Sequence, residues 1–424
     1  MNKLKGIIKG NRFLSAFSVL VMGSIGAQLI SILVAPLTTR LFTPYEFGIY
    51  TLITTAVSLF GPILCLKYDM SIITARNRKD TYALIKLCFF LSVFLSIIFG
   101  LLYGFFVFFN HDYTFNERAI FIVGTIFLLM TYGSNNVLLA HNNKKALYKL
   151  MSIVTITKSL TTNSILLLAG VLKTGVLGMI GSHLFGSLSG IIRQSADVRG
   201  HRNKIKRIKW GFIYNLAKKE KNQPIYNATS TLIITSIYST INLFIGKVYS
   251  PFQLGLYSLS YRILGLPFAI ISANISRIYF TTANEEFIEL GNYRKTFKQT
   301  FLFLVSIVIP IMVLIFFLSP VIFSRIFGEE WREAGIYIQY LTPMFGIKLI
   351  SESLTTGFII SNKQKYELII QSILLSTQVF IFFIVVSFNI PIYTFLNMIS
   401  GLYVMFNSVL LLILFKLSGK NITI

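Results

Sequence analysis

The feature that most limits how this chain can fold is an apolar stretch of about 20 residues that recurs along its whole length. Such stretches fall at 13–36, 46–66, 83–109, 119–140, 150–171, 175–192, 224–246, 253–279, 299–320, 335–360, 367–388 and 392–415. A helix of that length crosses a ~30 Å hydrocarbon core and pairs its own backbone groups where no water is at hand. The runs are continuous rather than alternating, which argues against a transmembrane β-barrel. With a mean hydropathy of +0.70, 54% hydrophobic residues and 13% charged residues, the chain lacks the polar surface that a water-soluble protein needs. The expected fold is an all-α integral membrane protein with about twelve transmembrane helices.

One motif occurs twice. Thr43-Pro44-Tyr45-Glu46-Phe47-Gly48-Ile49-Tyr50-Thr51-Leu52 returns 207 positions later as Ser250-Pro251-Phe252-Gln253-Leu254-Gly255-Leu256-Tyr257-Ser258-Leu259. Pro, Gly, Tyr and Leu are identical at matching places, and an apolar stretch flanks each copy on both sides. The pattern predicts two pseudo-symmetric six-helix lobes, 1–198 and 223–424, joined by a basic cytoplasmic linker at 199–222. In transporters, paired repeats of this kind rock around a shared central site, the mechanical basis of alternating access.

A net charge of +24 invites a nucleic-acid partner until its distribution is read. With both termini placed in the cytoplasm, the loops on that side hold 28 Lys and Arg and those on the other side hold 6. That asymmetry is the positive-inside pattern and sets the expected orientation. The charge therefore reports topology, with no nucleic acid as partner, and the basic stretch 199–209 is placed to lie against anionic lipid.

Catalytic patterns are missing from the sequence. It holds no GxxxxGK[ST] loop and no HExxH, and His111, His141, His183 and His201 are scattered. Cys65 and Cys88 form no CxxC, and neither a disulfide framework nor a metal site is expected. The expectation is a protein that is not an enzyme and holds no cofactor, drawing on an ion gradient (proton or sodium) or on the gradient of its own substrate.

Four ordered stretches carry a family likeness: Arg40-Leu-Phe-Thr-Pro-Tyr-Glu-Phe-Gly-Ile-Tyr50, Lys67-Tyr-Asp-Met-Ser-Ile-Ile-Thr-Ala-Arg76, Gly255-Leu-Tyr-Ser-Leu-Ser-Tyr-Arg262 and Phe327-Gly-Glu-Glu-Trp-Arg-Glu-Ala334. In order and spacing, over residues 13–415, they resemble the polysaccharide flippases of the multidrug/oligosaccharidyl-lipid/polysaccharide superfamily, which translocate O-antigen and capsule repeat units. Asp69 stands where Glu is more usual, and Ser260 where Ala is. The resemblance implies an undecaprenyl-pyrophosphate-linked oligosaccharide moved from the cytoplasmic to the outer leaflet of a bacterial plasma (inner) membrane. It also implies a place in lipopolysaccharide or capsule biosynthesis, with membrane lipid and the polysaccharide polymerase machinery as partners.

A pyrophosphate brings negative charge and many acceptor oxygens, so its passage calls for fixed cations facing a wet cavity, while the prenyl tail stays in lipid. Lys158, Arg262, Arg277 and Lys348 lie within the apolar stretches, and Lys86 lies near the start of the third. Charges so placed are costly and normally functional. Arg262 ranks first because it sits near mid-depth; Arg277, nearer the inner end, is equally suited to snorkelling. Lys158 shares a helix face with Thr155, Thr161 and Thr162. Lys348 and Glu352 are spaced i to i+4, which fits a structural ion pair as well as a substrate site with Glu352 exchanging a proton. His183 is a second candidate for ion coupling. Arg40, at the outer end of the first span, and Lys67 with Asp69, at the inner end of the second, are candidate gates. Pro36, Pro62, Pro267 and Pro310 are candidate kinks, and Trp331 with Glu329, Glu330 and Glu333 reads as a surface cap.

Two other readings stay open: a drug or organic-cation antiporter of the same superfamily, whose substrates the interior cations repel, and a membrane glycan polymerase or ligase, which needs a long outer loop that the sequence lacks.

Overall fold

In the computed structural model, residues 2–108 and 115–419 are described, with side chains for 19–105, 118–265 and 267–419. His111 lies outside the described residues. The long helices are α1 (Asn2–Leu41), α2 (Pro44–Phe60), α3 (Arg78–Phe108), α4 (Phe115–Lys144), α5 (Tyr148–Val171) and α6 (Gly175–Gln194), followed by α7 (Thr229–Phe244) with π-helical turns Gln223–Ala228 and Ile245–Tyr249 at its ends. They continue with α8 (Pro251–Leu290), α9 (Arg294–Phe327), α10 (Arg332–Leu354), α11 (Gln364–Ser387) and α12 (Ile392–Ser418). No strand occurs among the described residues.

Eleven of these helices are long and apolar enough to cross a membrane. The other is α10, which carries Lys348, Glu352 and three serines or threonines within its 23 residues. Its surroundings explain the composition. Fourteen of its residues are buried, and it packs against α8, α9 and α12. A helix enclosed by protein does not need an apolar exterior, so hydropathy alone understates it.

The chain divides into two compact units, Met1–Ser239 and Thr240–Ile424, so the division falls inside α7. In unit 1, α5 packs between α1 and α6, and α4 packs against α3 and α6. In unit 2, α10 is central, and its core joins Tyr279, Phe297, Leu354, Phe358 and Leu414.

The repeated motif has a local physical meaning. Both copies start a helix with a Ser or Thr cap, Pro in the first turn and Glu or Gln three residues after the cap. Thr43 Oγ1 accepts from Glu46 N at 3.3 Å while the Glu46 carboxylate accepts from Thr43 N at 2.8 Å, a reciprocal capping box. Ser250 Oγ accepts from Gln253 N at 3.1 Å, but the Gln253 side chain accepts instead from the Tyr337 hydroxyl. Pro44 and Pro251 fit the first turn because the N–H they lack has no helical partner there.

The basic segment 199–222 is largely helical, at Arg202–Lys206 and Trp210–Lys219, and both short helices pack on α3. Lys86 is part of that docking: its Nζ donates to Lys206 O at 3.1 Å and Ile208 O at 2.7 Å. Trp331 is no surface anchor, being only 1% exposed and among the largest fully buried side chains. Its ring fills the turn between α9 and α10, where apolar burial outweighs an interfacial position. Pro36, Pro267 and Pro310 lie inside helices, as do Pro320 and Pro343, which the sequence reading did not single out. Pro62 sits in the 3-10 turn Gly61–Ile63 that follows α2.

Candidate functional site

The interior charges fall in two settings, one in each unit. In unit 1, α5 is clamped on both sides. Toward α1, a Cβ on Gly23 would lie 2.2 Å from Ser152 Oγ, so only glycine permits that approach. Below it, Ser159 Oγ donates to Ala27 O at 2.8 Å, and Asn163 Nδ2 donates to Ser159 O at 2.8 Å and Ser31 Oγ at 3.3 Å. Toward α6, a Cβ on Gly186 would lie 1.8 Å from Thr162 Oγ1 and 3.1 Å from Lys158 O. Lys158 is thus carried on a helix fixed from two directions. It begins ~15 Å along α5 from Tyr148 at 1.5 Å per residue, near mid-span, and is half-buried. Among the described residues its ammonium has no ion-pair or hydrogen-bond partner.

Two of the three threonines named with it are spent locally. Thr155 Oγ1 donates to Met151 O at 2.9 Å, and Thr162 packs on Gly186. The seam of Ser31, Ser159 and Asn163 was missed in the sequence, although Ser159 and Asn163 stand at i and i+4. His183 Nδ1 lies 3.0 Å from the Tyr50 hydroxyl, tying α6 to α2 through the tyrosine of the repeated motif.

In unit 2, Lys348 is 13% exposed. Its Nζ lies 3.7 Å from Glu352 Oε1, donates to the Tyr261 hydroxyl at 3.2 Å and stands 5.5 Å from the centre of that ring. Behind it, Ser351 Oγ donates to Asn407 Oδ1 at 2.6 Å. Arg262 follows Tyr261 on α8 and is half-buried, whereas Arg277 is exposed. The structure does not bring these two arginines together: fifteen residues of continuous helix separate them by ~22 Å. From Pro251, Arg262 stands ~16 Å along α8 and Arg277 ~39 Å, the latter beyond a ~30 Å hydrocarbon core.

The candidate gates differ in kind. Arg40 is exposed in the last turn of α1, where the helix dipole favours a cation. Lys67 adopts φ +60 before the short helix Tyr68–Thr74, a left-handed conformation uncommon for a residue with a side chain. Among the described residues, Asp69 Oδ1 is buried with no hydrogen-bond partner. Burial pushes the Asp69 carboxyl above the usual carboxylate range, against the opposing pull of the Lys67 charge and of backbone hydrogen bonds. Close by, Lys144 Nζ donates to Ile72 O at 3.0 Å, Ala75 O at 2.6 Å and Thr81 Oγ1 at 2.6 Å, closing the end of that short helix. At the same end, Asp197 Oδ2 lies 2.7 Å from His141 Nε2 and 2.6 Å from Lys145 Nζ. Cys65 and Cys88 are free and buried. No cluster of three metal-ligating residues exists among the described residues.

Apolar membrane-length helices in two units, with ionisable groups held inside several of them, define a multi-pass membrane protein with the two-lobe transporter fold. The chain belongs to the polysaccharide biosynthesis protein family, whose sequence model matches residues 37–335. Among solved structures it is similar to the lipid II flippase MurJ in an inward closed conformation, at 13% identity and a TM-score of 0.69 over 94% of this chain and 87% of that one. It is also similar to an inward-facing multidrug resistance MATE family transporter of the MOP superfamily, at 13% identity and a TM-score of 0.59 over 94% and 92% of the two chains. The Vibrio cholerae MATE transporter VcmN gives 9% identity and a TM-score of 0.57 over 96% of each. No match appears among curated protein sequences.

Proposed function

We propose that the chain is a flippase that carries undecaprenyl-pyrophosphate-linked oligosaccharide from the cytoplasmic to the outer leaflet of a bacterial plasma membrane by alternating access, with both termini cytoplasmic. The observation that carries this reading is Lys158, an ammonium inside α5 with no anion beside it among the described residues. A charge at the membrane centre costs at least ~2.5–3.5 kcal/mol, and none of the described residues offsets it. An anion that arrives with the substrate does.

The family supports a polysaccharide precursor as cargo, and the similarity to a lipid II flippase supports one borne on lipid. Arg262 is the second cation of the proposed path, set near mid-depth. Lys348 is already balanced by Glu352, which suits a pair that loosens on substrate or proton binding. Arg277, Lys67, Asp69 and Arg40 act nearer the ends of the path, and His183 is held by Tyr50. An ammonium at Lys158 repels an organic cation, which sets this reading above a drug antiporter of the same fold. The chain moves its substrate without converting it.

The test is transbilayer movement of a fluorescent undecaprenyl-pyrophosphate oligosaccharide in liposomes that contain the purified protein. Movement by the native chain, lost in a folded Arg262→Ala variant, supports the reading. A native chain that leaves the lipid in place under proton, sodium and no-gradient conditions overturns it.

A further inference from the structure

Unit 2 contains a groove that the function above does not use. Bounded by α9, α10 and α12, it has a volume of about 930 Å³ and almost wholly apolar walls. Gly346 forms part of its floor; a Cβ there would press on Met312 Cγ at 3.1 Å. Leu302, Ile309 and Leu412 edge it and are 63%, 55% and 61% exposed, so it opens to the side of the unit.

Length narrows the class of occupant. On α9 the lining runs from Phe297 to Val313, which is ~24 Å of helix rise. One leaflet supplies only ~15 Å of hydrocarbon, half of a ~30 Å core. A chain anchored at one end of the groove and filling it therefore passes the bilayer midplane. The acyl chain of a phospholipid is matched to one leaflet; a polyprenyl chain is longer.

Charge marks the anchored end. Lys298 lines the groove there. One turn earlier, the Arg294 guanidinium stands 3.2 Å from the centre of the Phe415 ring, itself part of the lining, and donates to Phe415 O. Lys295 lies between them. These cations occupy the first turns of α9, where the helix dipole opposes positive charge. The N–H groups of that end are already taken, because the Glu286 carboxylate accepts from Lys295 N at 3.0 Å and Thr296 N at 2.7 Å. Glu286 thus offsets the dipole and leaves Lys298 without an ion-pair partner among the described residues.

We propose that the groove seats one polyprenyl chain whose head phosphate is held by Lys298 and Arg294. This rests on the lipid-linked cargo proposed above and replaces the expectation that the tail stays in bulk lipid. Unit 2 holds the tail at a fixed place while the charged head is handed to the interior cations.

Native mass spectrometry of the full chain, with undecaprenyl phosphate as the probe, tests it without requiring transport. One lipid is retained per native chain. Leu412→Trp and Ile309→Trp, which fill the groove from its exposed edge, lower retention at least about tenfold, and Lys298→Gln lowers it about threefold. Phe380→Trp, at a 63% exposed position on α11 outside the groove, leaves retention unchanged, and phosphatidylglycerol in excess does not displace the probe. Undiminished retention in both groove-filling variants overturns the proposal, as does displacement by phosphatidylglycerol. A chain that retains the probe through the groove but never flips the sugar-bearing lipid contradicts the proposed function alone. A chain that flips while its retention ignores both tryptophans contradicts the groove alone.

Discussion

The two copies of the repeated motif begin alike and lead into different interiors. Thr43 and Ser250 both cap a helix whose first turn holds proline. In unit 1 the chain then builds α5 with an ammonium, Lys158, that no acid among the described residues answers. In unit 2 it builds α10 with Lys348 set against Glu352 and Tyr261. Repetition has preserved how a membrane helix starts and has not preserved the charge arrangement behind it. Unit 1 holds an open cation, and unit 2 holds a cation that is already balanced.

The largest consequence concerns stability at Lys158. Replacing it with Leu removes an uncompensated charge, so the variant should be more stable by about 3 kcal/mol on the scale of membrane insertion costs, read as a higher Tm in detergent. Lys348→Leu should not stabilise, because it strands Glu352. A lower Tm for Lys158→Leu would place an unseen anion beside it and end the contrast.

Glycine positions come next. A Cβ on Gly335 would lie 2.6 Å from the backbone oxygen of Ser319, and one on Gly23 would lie 2.9 Å from Ser152 Cα as well as 2.2 Å from its hydroxyl, so neither neighbour can simply turn aside. Gly335→Ala and Gly23→Ala are each expected to cost about 2 kcal/mol, with chemical unfolding as the check.

Two acids of unit 1 should respond to pH with opposite sign. The Asp69 carboxyl is raised, chiefly by burial, so folding favours its protonated form. That contribution is present in acid and is lost as pH rises from the ordinary carboxylate value through the higher folded value. For Asp197, burial pushes upward, but the hydrogen bonds and charges of Lys145 and His141 outweigh it and the carboxyl is lowered. Its contribution is present above the ordinary value and is lost as pH falls through the lower folded value. At neutral pH, Asp69→Asn should therefore raise Tm and Asp197→Asn lower it, and both differences should shrink in acid.

The smallest effect is at the caps. Thr43→Ala removes the cap and also the 3.1 Å bond from the Thr43 hydroxyl to the Glu46 carboxylate, while the backbone N–H of residue 43 stays on Glu46, and it should cost about 1 kcal/mol; Ser250→Ala loses the cap alone and should cost about half that. Equal losses would show that the bond between hydroxyl and carboxylate adds nothing.

The helices were legible in the sequence because lipid imposes length and apolarity on each span by itself, and the motif was legible because capping is local. What stayed hidden depends on partners distant in the chain. Ser31, Ser159 and Asn163 read separately as ordinary polar residues until α1 is laid on α5. Asp197 reads as one acid in a basic segment until α4 brings His141 and Lys145 to it. Trp331 follows an interfacial preference that tertiary packing overrides. The Lys348–Glu352 spacing was visible, while the Tyr261 hydroxyl that completes the pair was not.

The central claim is that Lys158 is the open cation and Lys348 the balanced one. Flipping of undecaprenyl-pyrophosphate oligosaccharide in liposomes, measured side by side for Lys158→Gln and Lys348→Gln at matched protein content, tests it most directly. The account predicts a loss of about tenfold or more for Lys158→Gln and less than about threefold for Lys348→Gln, since a charge-assisted contact to phosphate is worth roughly 1.5–3 kcal/mol. Full activity in Lys158→Gln together with loss in Lys348→Gln would contradict it.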